Sequence, residues 1–393
     1  MKLRFAERMR DVPKSFIREI LKAAADPKII SFAGGLPNPD LFPVEGVQEA
    51  CAKVLRDDGQ NVLQYTTTEG YPPLREFIAE RYRAKKGLAI RPDEILITNG
   101  SQQGLDLLGK ILLNEGDGAV IEKPGYLGAI QALSIYKPVF HSIPLHDDGV
   151  DASLAKRIFQ KNPIQLFYSV PNFQNPSGVT YSKAVREELA AALKEYGVLF
   201  VEDDPYGELR FMGEDLPSMR NYLDGDSILL GSFSKIVAPA FRMGWICAGK
   251  EIMEKLVIAK QAADLHSNSF SQRVLYQYLS DCNIDDHIAA IRCVYKNQRD
   301  AMAESIDQYL PSEIQRTNPE GGMFLWLTLP DGASSMMLFQ AAVERNVAFV
   351  PGYPFYVDGG GENTLRLNYS NADESTIKEG IQRLAQAWVR MGL

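Results

Sequence analysis

Lys235 closes the stretch Gly231-Ser232-Phe233-Ser234-Lys235, directly after the apolar run Ile228-Leu229-Leu230. A lysine on a turn after a buried strand, flanked by small hydroxyl residues, is placed to form a Schiff base with a carbonyl compound. Arg242 follows seven residues later, inside the otherwise apolar Ala240-Phe241-Arg242-Met243-Gly244-Trp245. Its guanidinium and the hydroxyls of Ser232 and Ser234 could together bind a phosphate dianion. A solvent-facing lysine in a polar loop is the competing reading, and lysine usually has that fate. It leaves Arg242 without a reason.

Three further polar groups stand after apolar runs. Asn99-Gly100-Ser101-Gln102-Gln103-Gly104 follows Ile95–Thr98 at the start of a helical pattern, where small residues expose backbone N–H groups to an anion. Glu202-Asp203-Asp204-Pro205-Tyr206 follows Val198–Val201; a carboxylate there can pair with a protonated ring nitrogen, and the tyrosine can bond a phenolate oxygen. Pro171-Asn172-Phe173-Gln174-Asn175-Pro176-Ser177-Gly178 follows Ile164–Val170 and offers the Asn175 amide in a rigid loop. Each alone reads equally as ordinary turn chemistry. Their repetition at strand ends, in this order, points to one site, because ligands of doubly wound sheets bind at the carboxyl ends of the strands.

The elements that must position these groups are short apolar runs alternating with helical patterns. Strands are expected at 95–98, 119–121, 164–170, 198–201 and 228–230, with helices at 74–86, 102–113 and 183–196. That alternation is the mark of βαβ units and a parallel sheet covered on both faces. Helical stretches run from Lys250 to about Leu310. Runs 323–327, 348–350 and 365–367, with helices at 336–346 and 374–390, read as a small α+β domain. An amphipathic helix is expected over Ser15–Ala25, ended by Gly34-Gly35-Leu36-Pro37-Asn38-Pro39-Asp40.

With 393 residues, 45% hydrophobic, the chain can bury a sizeable core and is expected to form two domains. The net charge of −8 is spread without blocks, so no basic patch suggests nucleic acid. The four cysteines (51, 247, 282, 293) form no CxxC pair and read as buried free thiols rather than a metal site. Residues 1–14 have no apolar core of a secretory signal, and no run reaches membrane-spanning length. A cytoplasmic location is expected. The four histidines match no motif.

From Ser31-Phe32-Ala33-Gly34-Gly35-Leu36-Pro37 to Arg366-Leu367-Asn368-Tyr369-Ser370, the chain resembles the fold-type-I pyridoxal 5'-phosphate (PLP) aminotransferases of class I/II. Within them it is most similar to the 2-aminoadipate/kynurenine aminotransferase subgroup. The resemblance implies a large PLP-binding domain over 40–295 with a mostly parallel seven-stranded sheet, and a small domain from 1–39 and 296–393. It implies that Lys235 carries the cofactor and moves protons, that Asp203 keeps the pyridine nitrogen protonated, and that Tyr206 and Asn175 bond the phenolate oxygen. Tyr126 would stack on the ring. Ser101, Gln102, Ser232, Ser234 and Arg242 would hold the phosphate, and Tyr71 would reach the phosphate of the partner subunit in a homodimer. Arg366 would clamp the substrate α-carboxylate, with Asn175 beside it, while Arg18, Gly35 and Leu36 would meet the rest of the substrate.

The activity so implied is ping-pong transfer of an amino group from 2-aminoadipate, aromatic, branched-chain or glutamate-like donors to a 2-oxo acid such as 2-oxoglutarate. Arg18 stands opposite the apolar helix face of Ile17 and Leu21, so an exposed helix charge is as good a reading of it as a substrate contact. A PLP-dependent β-elimination lyase shares the fold and most of these residues. An aminotransferase-like sensor fused to a DNA-binding module is a further alternative, but the residues before Ser31 are too few for a winged helix and linker.

Overall fold

The computed structural model describes residues 3–9, 20 and 26–391. The first strands in chain order are β1 (Ile30–Ser31), β2 (Ile95–Asn99), β3 (Gly118–Lys123), β4 (Val139–His146), β5 (Gly149–Val150), β6 (Ile164–Ser169), β7 (Leu199–Asp203), β8 (Ser227–Ser232) and β9 (Met243–Cys247). β2 to β9 form one sheet, ordered β2-β9-β8-β7-β6-β3-β4-β5. β4, β3, β6, β7 and β8 run parallel, whereas β9 is antiparallel to both β8 and β2. The sheet has eight strands rather than seven: the two-residue β5 folds back on the edge strand β4. Its central strands are largely apolar because helices cover both faces, and β8 and β9 are buried at every position.

Local sequence signals fix the helices between these strands. Ser182 accepts a hydrogen bond from Val185 N at the start of helix Lys183–Tyr196, and Gly197 ends it in the left-handed conformation at φ 63°. Asp151 caps Ala152–Lys161 and Asp373 caps Glu374–Arg390 in the same way. The stretch after Lys250 is three helices, Lys250–Asp264, Ser269–Asp281 and Ile284–Tyr309. A further helix, Val44–Val62, was not anticipated from the sequence.

The second sheet comprises β10 (Gln315–Arg316), β11 (Phe324–Thr328), and, after β12 (Val347–Ala348), β13 (Val350–Pro351) and β14 (Thr364–Asn368), ordered β10-β11-β14-β13. β1 pairs with β12, Ile30 opposite Val347, so the segment before the large sheet docks on the C-terminal part of the chain. The helix expected over Ser15–Ala25 lies outside the described residues except for Ile20, which is helical and packs, buried, in a cluster with Trp326 and Phe355. The cysteines are free, but only Cys247 is fully buried; Cys282 and Cys293 are exposed, at the end of one helix and on the outer side of the next.

Candidate active site

The sheet directions bring the polar groups to one edge. β2 and β8 are both antiparallel to β9 and therefore point the same way, together with β7, β6 and β3. Asn99, Ser232, Asp203, Ser169 and Lys123 are thus the last residues of strands that end along a single edge. Arg242 joins them because it precedes β9, which runs the other way. A cavity of about 410 Å³ opens there, and Ser101, Gln102, Tyr126, Asn175, Asp203, Tyr206, Ser232, Ser234, Lys235, Arg242, Arg366 and Gly35 all line it.

Lys235 is half-buried, and its Nζ donates to Gly35 O at 2.8 Å. Desolvation, helped by the charges of Arg366 and Arg242, lowers its pKa to about 8, so the neutral amine is accessible near neutral pH. Asp203 is 2% exposed. Tyr168 Oη donates to its Oδ2 at 2.7 Å, while Oδ1 has no partner within the protein. Burial raises this carboxyl to about 7, with Asp204 and Glu122 adding to the rise against the Tyr168 bond.

Arg366 reaches the cavity from β14 in the small sheet. Its Nη1 donates to Asn175 Oδ1 at 2.8 Å and its Nη2 to Ala33 O at 2.7 Å, whereas Nε is buried without a partner. The guanidinium lies over the rings of Phe324 and Phe355. Burial lowers it to about 10, opposed by Tyr206 and Tyr126. Asn175 Nδ2 donates to Tyr206 Oη at 3.4 Å, and burial pushes both the Tyr206 and Tyr126 hydroxyls up.

At the other end of the cavity, Gly100 (φ 73°) opens helix Gly100–Leu112 against Arg242, itself at φ 53°. The positive φ favours glycine here, and a Cβ on Gly100 would come within 2.6 Å of Arg242 Nη2 and displace the guanidinium. Arg242 Nη2 donates to Asn99 O at 3.4 Å, and Ser234 N donates to Ser232 Oγ at 3.1 Å. The result is a turn of small residues beside a guanidinium, a cradle for a tetrahedral anion.

Two described residues named from sequence, Leu36 and Tyr71, do not line the cavity. Leu36 is 57% exposed and outside its lining. It precedes Pro37 in a turn, where only the Gly35 backbone faces inward. Tyr71 packs edge-on against Tyr276 and under Arg273, away from its own chain's cavity. Arg18 lies outside the described residues. Reasoning from sequence also missed Tyr168 and Phe355. Tyr168 sits in an apolar strand where a tyrosine looks like core, and only its pairing across to β7 reveals the contact with Asp203.

The chain matches the family model for aminotransferase class I and II over residues 28–384. It is 43% identical to the 2-aminoadipate transaminase of Thermus thermophilus over 380 residues, 96% of this chain and 94% of that protein. It is 42% identical to aromatic-amino-acid aminotransferase 1 of Thermococcus litoralis over 388 residues, 97% of this chain and 93% of that protein. The solved structure of α-aminoadipate aminotransferase from Thermus thermophilus, complexed with N-(5'-phosphopyridoxyl)-L-leucine, is similar with a TM-score of 0.92 at 42% identity, covering 98% of this chain and 97% of that one.

Proposed function

The chain belongs to the class I and II aminotransferases, and from that premise we propose that it uses PLP in this cavity to transfer the amino group of an α-amino acid to a 2-oxo acid. The observation that carries the assignment is the buried, unpartnered Asp203 Oδ1 in the same cavity as the Lys235 amine. A bare carboxylate oxygen in a buried site is costly unless something donates to it, and a protonated pyridine nitrogen is such a donor. The small-residue turn at Gly100 and the Arg242 guanidinium suit the phosphate.

When bound, PLP supplies an aldehyde that takes up an amine and a ring that accepts the electron pair left at the substrate Cα. Asp203 would hold the ring nitrogen, with Tyr168 fixing the other carboxyl oxygen. Tyr206 and Asn175 would hold the ring oxygen, and Tyr126 would face the ring. The backbone of Gly100–Gln102, with Ser101, Ser232, Ser234 and Arg242, holds the phosphate; Gln102 donates its own amide to Gly128 O and so contributes main chain rather than side chain. Arg366 holds the α-carboxylate by its planar fork, Nε being free for it. Lys235 then works as a base at the substrate Cα, its depressed pKa keeping a useful neutral fraction.

The finer reading is a broad donor range including 2-aminoadipate and aromatic, branched-chain and glutamate-like amino acids, with 2-oxoglutarate as acceptor. Arg18 is assigned to the distal carboxylate of dicarboxylic donors and Gly35 to the pocket wall. Tyr71, turned away from its own cavity, is assigned to the partner subunit of a homodimer. The pairing of β1 with β12 supports a small domain of 1–39 and 296–393 beside a large one of 40–295. No helix among the described residues is long and apolar enough to cross a membrane, and we assign the protein to the cytoplasm.

The test is a half-reaction. The PLP-loaded protein is mixed with single amino acids without an oxo acid, and its visible spectrum is followed. Conversion to the pyridoxamine form with release of the 2-oxo acid is the expected result. Pyruvate and ammonia from a cysteine-like substrate would reassign it as a lyase. Arg18→Ala should raise KM for 2-aminoadipate and glutamate but not for leucine; an equal rise for leucine would remove Arg18 from the pocket.

A further inference from the structure

Lys260 is fully buried on the helix Lys250–Asp264, an unusual place for an ammonium. Its Nζ donates to both oxygens of Asp264 at 3.0 Å, to Gln103 Oε1 at 2.9 Å and to Ser267 Oγ at 3.0 Å. Asp264 Oδ2 also accepts from Asn99 Nδ2 at 2.6 Å and from Gln103 Nε2 at 2.7 Å. Gln103 Oε1 in turn accepts from Asn99 N at 2.8 Å. Every bond from this ion pair toward the large sheet therefore ends on the Asn99–Gln103 stretch, or through Ser267 on Ile97 O in the strand before it. Asn99 O is the group against which Arg242 rests.

Burying the Lys260 ammonium beside a half-buried carboxylate costs desolvation that the attraction seldom recovers in full, so stability alone is a weak account of the pair. Its bonds hold Asn99 and Gln103, which flank Gly100 and Ser101, and Asn99 O is the group on which the Arg242 guanidinium rests. We propose that Lys260 and Asp264 are positioning residues for the phosphate cradle: they fix the Asn99–Gly100 turn from behind, and through Asn99 O they fix Arg242. Neither touches the cavity. The inference rests on the reading of the cavity as a PLP site and adds to it a requirement that the phosphate, rather than the ring, depends on this pair.

The experiment compares the affinity of cofactor-free wild type, Lys260→Met and Asn99→Ala for PLP and for pyridoxal, which lacks the phosphate, by spectroscopic titration. Asn99→Ala removes the direct bond from Asp264 to the turn while leaving the Lys260–Asp264 pair and its Gln103 link in place, so it tests the proposal even where Lys260→Met folds poorly. The dissociation constant for PLP should rise about tenfold or more in both variants, the scale on which outer partners act on a held ligand. That for pyridoxal should stay within about twofold, well under the free energy of one hydrogen bond. Equal weakening of both ligands, or no change in either, would overturn the positioning role. Wild type that binds no PLP, or binds it with a spectrum unaffected by Lys235→Ala, would overturn the cofactor reading instead.

Discussion

Glu122 and Asp203 are carboxylates near the carboxyl ends of β3 and β7, two strands apart in one sheet order, and neither exposes more than 2% of its surface. Glu122 is saturated. Its Oε1 accepts from Ser169 Oγ at 2.8 Å, Tyr181 Oη at 2.7 Å and Val170 N at 3.2 Å, and its Oε2 from Gln174 Nε2 at 3.0 Å. Asp203 has one donor, Tyr168, and one oxygen left bare. Two buried arginines repeat the contrast. Arg186 spends its donors on the Tyr181, Pro217 and Pro171 carbonyls and Asn172 Oδ1, while Arg366 keeps Nε free beside the cavity. The saturated pair holds the chain: Glu122 ties down the loop that carries Asn175, through Gln174 and its bond to Ser177. The unsaturated pair is held by the chain for something that arrives.

That contrast can be broken, first at Lys235. Lys235→Ala should abolish transfer by about 10⁵-fold or more and remove the visible absorbance of the bound cofactor; measurable turnover would dissolve the division. Next comes pH. Burial puts Asp203 at about 7 against an ordinary 3.8, so the native state keeps a proton that the unfolded chain releases in that window. Cofactor-free protein should therefore lose stability as pH rises from about 4 to 7, by on the order of 4 kcal/mol at most. Asp203→Asn should flatten the slope measured by denaturant titration.

The same substitution should slow the half-reaction by about 10²- to 10³-fold, as loss of an aligned electrostatic partner does, with the cofactor-free melting temperature unchanged or higher. Glu122→Gln should do the reverse: it sets an amide against the Gln174 donor and should cost about 2–3 kcal/mol of stability, while the folded enzyme keeps its rate to within a few-fold. A large loss of rate without loss of stability at Glu122 would merge the two classes. Smallest is Tyr168→Phe, which removes one bond to Asp203 and should lower kcat about tenfold at unchanged KM.

Residues that announce themselves by local chemistry were legible in the sequence. Lys235 after Ser232 and Ser234, Arg242 in an apolar run and Asp203 three places before Tyr206 all face one cavity, and helix 374–390 is where the periodicity put it. What stayed hidden depends on pairing across the chain. β9 reads as a continuation of the Arg242 run, because nothing local says that it turns back between β2 and β8. β4 is partly exposed, with polar His141, Ser142 and His146 among its apolar residues, and lacks the continuous apolar signature of the central strands. Lys260 looks like any helix-surface lysine until the fold sets Asn99 and Gln103 beside it.

The backbone carbonyls of Ala33 and Gly35 already sit on Arg366 and Lys235, the two side chains assigned to the substrate's carboxylate and Cα. A covalently attached occupant competes at a local concentration set by its tether rather than by the solution. An incoming amino acid therefore exchanges partners instead of filling a vacancy, and its apparent affinity is a difference between two sets of bonds. The three residues from Ala33 to Gly35 act as a built-in competitor. Stiffening that stretch would tighten the competition, and loosening it would relax it, so substrate affinity can be tuned without altering either side chain.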